Sequence, residues 1–205
     1  MRGDLYVTGD TAADELLNTD AAALLIGMLL DQQIPLEWAF AGPATLRRRL
    51  GHLDVARIAA MPEDELVQAA CAKPAIHRYP AVMARRIQAL CAELVASYGG
   101  RAEAVWEGVT DALTLRARLR ALPGFGEEKA MILIAVLAKR FGVRPRRWRQ
   151  APGPFADRQP RTVADADSPE GLARVRAWKA AQRAAGRTKQ DAPAAEGTAP
   201  VRPAT

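Results

Sequence analysis

The sequence predicts an all-α protein. Apolar residues recur at helical spacing in one segment after another, capping residues and Pro or Gly turns punctuate those segments, and no alternating strand pattern stands between them. Leu5 to Thr8 reads as a short extended piece, and Asp10 or Thr11 can cap a first helix through Leu17. Asp20 caps Ala21 to Leu30, where Leu24, Leu25, Ile26, Met28, Leu29 and Leu30 fall on all sides. A helix that is apolar all round is central and buried. Its end reads Asp31-Gln32-Gln33-Ile34-Pro35. Pro43 opens a helix through Leu50, and Leu53 to Ile58 makes a short segment. Pro62-Glu63-Asp64-Glu65-Leu66 is a helix start, with Pro in the first turn and acids on the positive end. Tyr79-Pro80 begins a long helix whose apolar positions include Val82, Met83, Ile87, Leu90, Leu94 and Val95, and Gly99-Gly100 stops it. Thr110 to Leu119 is a short helix, and Ala130 to Phe141 an apolar one.

After Gly142 the texture changes. Arg144 to Arg161 is rich in Arg and Pro, with one Trp. Ser168-Pro169-Glu170 starts a last helix to about Ala185, amphipathic and basic. From Gly186 the chain is Ala, Pro, Thr, Gln and charge, a composition that does not bury enough apolar surface to fold. The expected organisation is one domain over 1–185 and a disordered tail over 186–205. There is no internal repeat.

The 205 residues are 49% hydrophobic, enough for a core built from aliphatic helix faces, since only 5% are aromatic. The net charge of +6 favours a polyanionic partner, and most of the basic residues are clustered arginines. Cys71 and Cys91 make no disulfide framework, so the expected setting is cytoplasmic and reducing. No apolar run reaches the ~18 residues of a membrane span, and the N-terminus shows no signal-peptide pattern. Two distant His and two distant Cys have no ligand spacing, so no metal is expected.

The most informative stretch is Leu122-Pro123-Gly124-Phe125-Gly126-Glu127-Glu128-Lys129-Ala130. It is a helix-breaking Pro-Gly-x-Gly turn with an apolar helix directly behind it. Two glycines one residue apart let backbone N–H groups face outward on the positive end of that helix, which makes an anion site. A DNA phosphate fits such a site, held by main chain and therefore without sequence preference. The plainer alternative is a tight turn between packed helices.

In this order of elements the chain resembles the helix-hairpin-helix base-excision glycosylase superfamily. The turn at Leu122 to Ala130 is similar to the family hairpin, the buried helix ending in Gln32-Gln33 to its early helix, and the helix from Tyr79 to Tyr98 with Gly99-Gly100 to the one preceding the hairpin in endonuclease-III-type enzymes. Phe141-Gly142 also has a counterpart, so the resemblance covers about residues 14 to 142. It implies a two-lobed helix-hairpin-helix fold. It implies that Gly124 and Gly126 present N–H groups to a phosphate, and that Gln33, with Gln32 beside it, fills the gap left by a flipped base. Such enzymes extrude the base into a pocket between the helical halves.

Three departures bear on chemistry. Lyase-type members carry a Lys two residues after the second hairpin glycine; here that position is Glu128, and Lys129 comes one step, ~100°, later. Schiff-base chemistry is therefore not expected, and Lys129 is read as a DNA contact. The family's catalytic Asp should follow Phe141-Gly142 by several residues, but Val143 to Arg149 holds no acid. Cleaving an N-glycosidic bond builds positive charge on the sugar, which a carboxylate stabilises. Asp157 and Asp31 are the two candidates. The iron–sulfur loop of some members is absent, so no cofactor is expected.

His77 and Tyr79, before the long helix, and Trp148, inside the Arg run, are expected to line the base pocket, where an aromatic ring can stack on an extruded base. Arg144, Arg146, Arg147 and Arg149 are expected to hold the DNA backbone. The expected function is excision of a modified base from damaged DNA by a monomeric, nucleoid-associated glycosylase without lyase activity. Two alternatives stand beside it: a non-catalytic DNA-binding module that keeps the hairpin, and an interaction protein with a basic tail whose hairpin is buried by packing.

Overall fold

The structure, a computed structural model, describes residues 2–191. Among the described residues there are nine α-helices and three short 3-10 turns, and the one bridge between extended segments joins Asp111 and Arg146. The helices are α1 (Thr11–Thr19), α2 (Ala21–Leu30), α3 (Leu36–Leu50), α4 (Val55–Ala60), α5 (Glu63–Cys71), α6 (Pro80–Tyr98), α7 (Ala112–Ala121), α8 (Glu127–Arg140) and α9 (Pro169–Ala184). Side-chain caps set the starts of several. Asp10, Asp20, Asp54, Asp111 and Ser168 each accept backbone N–H groups from the first turn that follows.

All of α2 is buried, as its all-round apolar sequence requires, and it packs against α1, α3 and α6. One lobe consists of α2 to α6, with α4 and α5 both laid on α6. The other is built on α8, which packs against α7 and the 3-10 turns Gly153–Ala156 and Val163–Asp165, with α9 docked on the latter turn. The N-terminal segment joins this lobe through Tyr6 N–H to Ala166 O at 3.0 Å, and it buries Leu5 and Val7 without forming a strand.

Of the boundaries that differ from those expected from the sequence, three have a plain physical cause. Pro43 does not open a helix; it lies inside α3, which begins seven residues earlier, behind Pro35. An interior Pro costs about 3 kcal/mol, and the burial of Leu36, Ala39, Phe40 and Leu46 outweighs it. The short segment expected at Leu53 to Ile58 is shifted to α4 because Asp54 caps it. The tail expected to be disordered from Gly186 is instead held as far as Asp191. Lys189 and Gln190 contact Glu128 at 2.7 and 2.8 Å, and the buried Arg161 donates to the carbonyl oxygens of Lys189 and Asp191. The rest of that expected tail, 192–205, lies outside the described residues. Among the described residues no helix is long and apolar enough to cross a membrane.

Candidate functional site

The hairpin Leu122 to Glu128 is anchored by its apolar side chains and leaves its backbone bare. Leu122 and Phe125 are buried, and Phe125 N–H closes the turn on Leu122 O at 3.1 Å. Gly124 and Gly126 are exposed. The main-chain N–H groups of Gly124, Gly126, Glu127 and Glu128 have no acceptor among the described residues, as expected for the first turn of a helix. The two glycines differ in kind. Gly124 has φ 80°, and a Cβ there would drive into Leu29 Cδ1, so fold and close approach both require glycine. Gly126, the N-cap of α8, has φ −84° and ψ −179°, and a Cβ there would meet nothing within 4 Å. The protein's own packing does not ask for glycine at that position.

Leu29 seats the hairpin on the last turn of α2, and Lys129 completes the junction. Its ammonium reaches back to Leu29 O, at the negative end of α2. The one-step displacement of this lysine leaves its ammonium at the end of α2. Burial pushes its pKa down to about 8; Lys189 and Arg86 press the same way, and Asp31 opposes them. Lys179, on α9, is lowered by burial as well, and Asp31 again opposes. Asp31 is thus the carboxylate whose charge acts on both ammoniums. The sequence reading did not single out Lys179 or Arg86 for this site, because they come from α9 and α6.

The two glutamines divide their roles. Gln32 is tied into the protein: its Nε2 donates to Leu29 O at 2.8 Å, and Arg86 donates to its Oε1 at 3.0 Å. Gln33 is exposed, has φ 58°, and its side chain has no partner among the described residues. A left-handed non-glycine residue is strained by roughly 1–2 kcal/mol, and here it carries an exposed amide just past the helix end. His77 is buried, and both ring nitrogens are occupied. Nε2–H donates to Gln32 O, and Nδ1 accepts Tyr79 N–H, each at 2.9 Å. Burial lowers its pKa. It fixes the Gln32 turn to the start of α6 and does not offer a surface to a base, which corrects its assignment as a pocket wall. Tyr79 is 46% exposed, so its ring remains available.

The remaining nominated residues lie elsewhere. Lys139 is ten residues beyond Lys129 on α8, about 15 Å at 1.5 Å per residue. It donates to Asp157 O and to Asp165, both at 2.7 Å, so Asp157 belongs to the far end of α8. The Asp157 carboxylate is bound by Arg161 at 2.7 Å. The structure therefore brings Asp31, and not Asp157, to the hairpin. Asp165 is a carboxylate the sequence reading passed over, although Thr162-x-x-Asp165 is a capping-box pattern and forms one. Trp148 lines a cleft with Lys139, Asp157 and Arg174 and does not join His77 and Tyr79. Arg144 and Arg149 lie over its ring, 5.3 and 4.6 Å from the centroid. Arg146 and Arg147 are not free cations, since both pair with Asp111, at 3.3 and 2.5 Å. Hydrogen bonds from Arg147 hold that carboxylate below its ordinary range. Asp111 stands far upstream in the sequence, which is why the run reads as unpaired there.

Comparison with known proteins adds one assignment. The family described as HhH-GPD superfamily base excision DNA repair protein matches residues 26–192. No curated protein matches the chain. Among solved structures, an endonuclease III trapped with DNA as a covalent intermediate, in an estranged-adenine complex, is 22% identical. That match covers 77% of this chain and 67% of that one, with a TM-score of 0.45.

Proposed function

The chain belongs to the HhH-GPD superfamily of base excision DNA repair proteins, and from that premise we propose that it is a monofunctional DNA N-glycosylase acting on a flipped base. The observation that carries this reading is the seating of the hairpin on the last turn of α2. On this reading Asp31 and Gln33, which directly follow that turn in the chain, act together with the bare N–H groups at the start of α8. The N–H groups of Gly124, Gly126 and the first turn of α8 take a phosphate next to the lesion. Gln33, free and already projected, enters the gap in the stack. Asp31 faces the sugar. As the N-glycosidic bond breaks, its electron pair leaves with the base, C1′ takes the oxygen of a water, and Asp31 stabilises the positive sugar and accepts the water's proton.

Arg144 and Arg149 supply positive charge to the DNA backbone from the far end of α8, and Tyr79 offers the exposed ring near the opening. Asp31→Asn is expected to lower abasic-site formation on a lesion oligonucleotide by roughly 10²–10⁴-fold with DNA affinity retained. Asp157→Asn is expected to keep the rate and lose about 1–3 kcal/mol of stability by weakening the hold on Arg161. The reverse pattern would move the carboxylate role to Asp157. No abasic product from any modified base, with binding intact, would leave a DNA-binding module.

Lys129 favours a second reading. Its depressed pKa and its place beside Asp31 suit an amine that attacks C1′ and opens the strand through a Schiff base. Borohydride trapping separates the two: a covalent protein–DNA adduct that disappears in Lys129→Gln selects the lyase, and its absence selects water as nucleophile.

A further inference from the structure

A cavity of about 670 Å³ opens between the Gln33–Glu37 turn and α9, within the size range of small-ligand sites. Gln33 stands on its wall, so it adjoins the helix end that carries Asp31. The wall holds three cations, Arg176, Lys179 and Arg183, against one carboxylate, Glu37, which is already paired with Arg176. None of the lining residues is aromatic. Lys179 has neither a hydrogen bond nor an ion pair among the described residues, yet it is sufficiently buried for desolvation to act on it. An ammonium only donates, so an oxygen or a negative charge is what it can receive.

The charge of the leaving base decides what such a cleft can accept. An uncharged base bearing ring carbonyls departs with the glycosidic electron pair as an anion, and that charge spreads onto its oxygens. A donor fixed against one of these oxygens is stronger in the transition state than in the ground state. A purine alkylated on N3 or N7 is cationic before cleavage and departs neutral. A cationic wall repels it at the start and gains nothing at the end, and among the described residues no electron-rich ring of the kind that holds cations lines this cleft.

We propose, on the glycosylase reading above, that this cleft receives the extruded base and that Lys179 selects uncharged carbonyl-bearing bases, uracil and oxidised pyrimidines, over cationic alkylated purines. The test uses the full chain and duplexes carrying a single uracil, 5-hydroxyuracil or 7-methylguanine, with abasic product measured under single turnover. The wild type is expected to release at least one of the two pyrimidines about 100-fold faster than 7-methylguanine. Lys179→Gln is expected to slow the pyrimidine reaction by roughly 10²-fold, the effect of removing one fixed donor, without slowing 7-methylguanine release. Lys179→Arg should restore much of the rate. Faster release of 7-methylguanine by the wild type, or an equal loss on all bases in Lys179→Gln, overturns the proposal while leaving a glycosylase.

If no base is released, affinity for duplexes bearing cleavage-resistant 2′-fluoro nucleotides decides. A preference for uracil over 7-methylguanine that Lys179→Gln abolishes keeps the base-selective cleft and removes the glycosylase reading. Equal affinities in both proteins remove both.

Discussion

Replacing Gly126 with alanine separates what the hairpin does for the fold from what it does for a ligand. The backbone at Gly126 has φ −84°, ordinary for any residue, and the added Cβ meets no atom within 4 Å. The cost to the fold is that of a poorer N-cap, about 0.5–1 kcal/mol, or roughly 2–4 °C for a protein of this size. The added methyl stands in the open space beside the bare N–H groups, where a phosphate oxygen would approach. Losing one hydrogen bond to a charged group costs about 1.5–3 kcal/mol, hence roughly 10–100-fold in Kd. The loss should be equal for duplexes of any sequence, because main-chain contacts to phosphate carry no base information.

Gly124→Ala is the control with the opposite profile. Its φ of 80° strains any side chain, and its Cβ collides with Leu29. Strain of roughly 1–2 kcal/mol and overpacking of about 1–3 kcal/mol should lower Tm by roughly 5–15 °C. Fluorescence anisotropy at fixed salt, on two unrelated duplexes, with thermal melts alongside, reads both quantities. Gly126→Ala binding both duplexes like wild type, with an unchanged melt, would refute the phosphate role and return the turn to a packing feature.

Two further expectations follow from the α2 helix end. Gln33→Gly relieves the left-handed strain at φ 58°, so stability should stay level or rise by about 1 kcal/mol while lesion-DNA affinity falls; a loss of stability in urea unfolding would show that the Gln33 side chain supports the fold. Lys129 titrates at about 8 in the folded protein against an ordinary 10.5, so below pH 8 it is charged in both states and its burial cost is carried in full. Between those values the unfolded chain holds more protons, and stability rises with pH by up to ~3 kcal/mol. Urea unfolding at about pH 7 and about pH 10 should show wild type gaining on Lys129→Met by that order, and parallel behaviour of the two proteins would mean that the lysine is not held as described.

Local patterns were legible in the sequence, and long-range pairings were not. The buried α2, the cap at Asp20, the long α6 with its Gly99 stop and the hairpin before α8 are all encoded within a few residues of where they act. Apolar periodicity, capping and glycine conformation are short-range physics, and the family resemblance rests on those same signals. Tertiary structure alone decided which charges meet. It brought Lys129 onto the end of α2 and placed Lys179 near Asp31. It closed both ring nitrogens of His77, set the single carboxylate of Asp111 against Arg146 and Arg147, and held Asp157 at the other end of α8. The sequence listed two carboxylates without choosing between them, because an ion pair depends on separation in space, and chain order does not give the separation of groups on different helices.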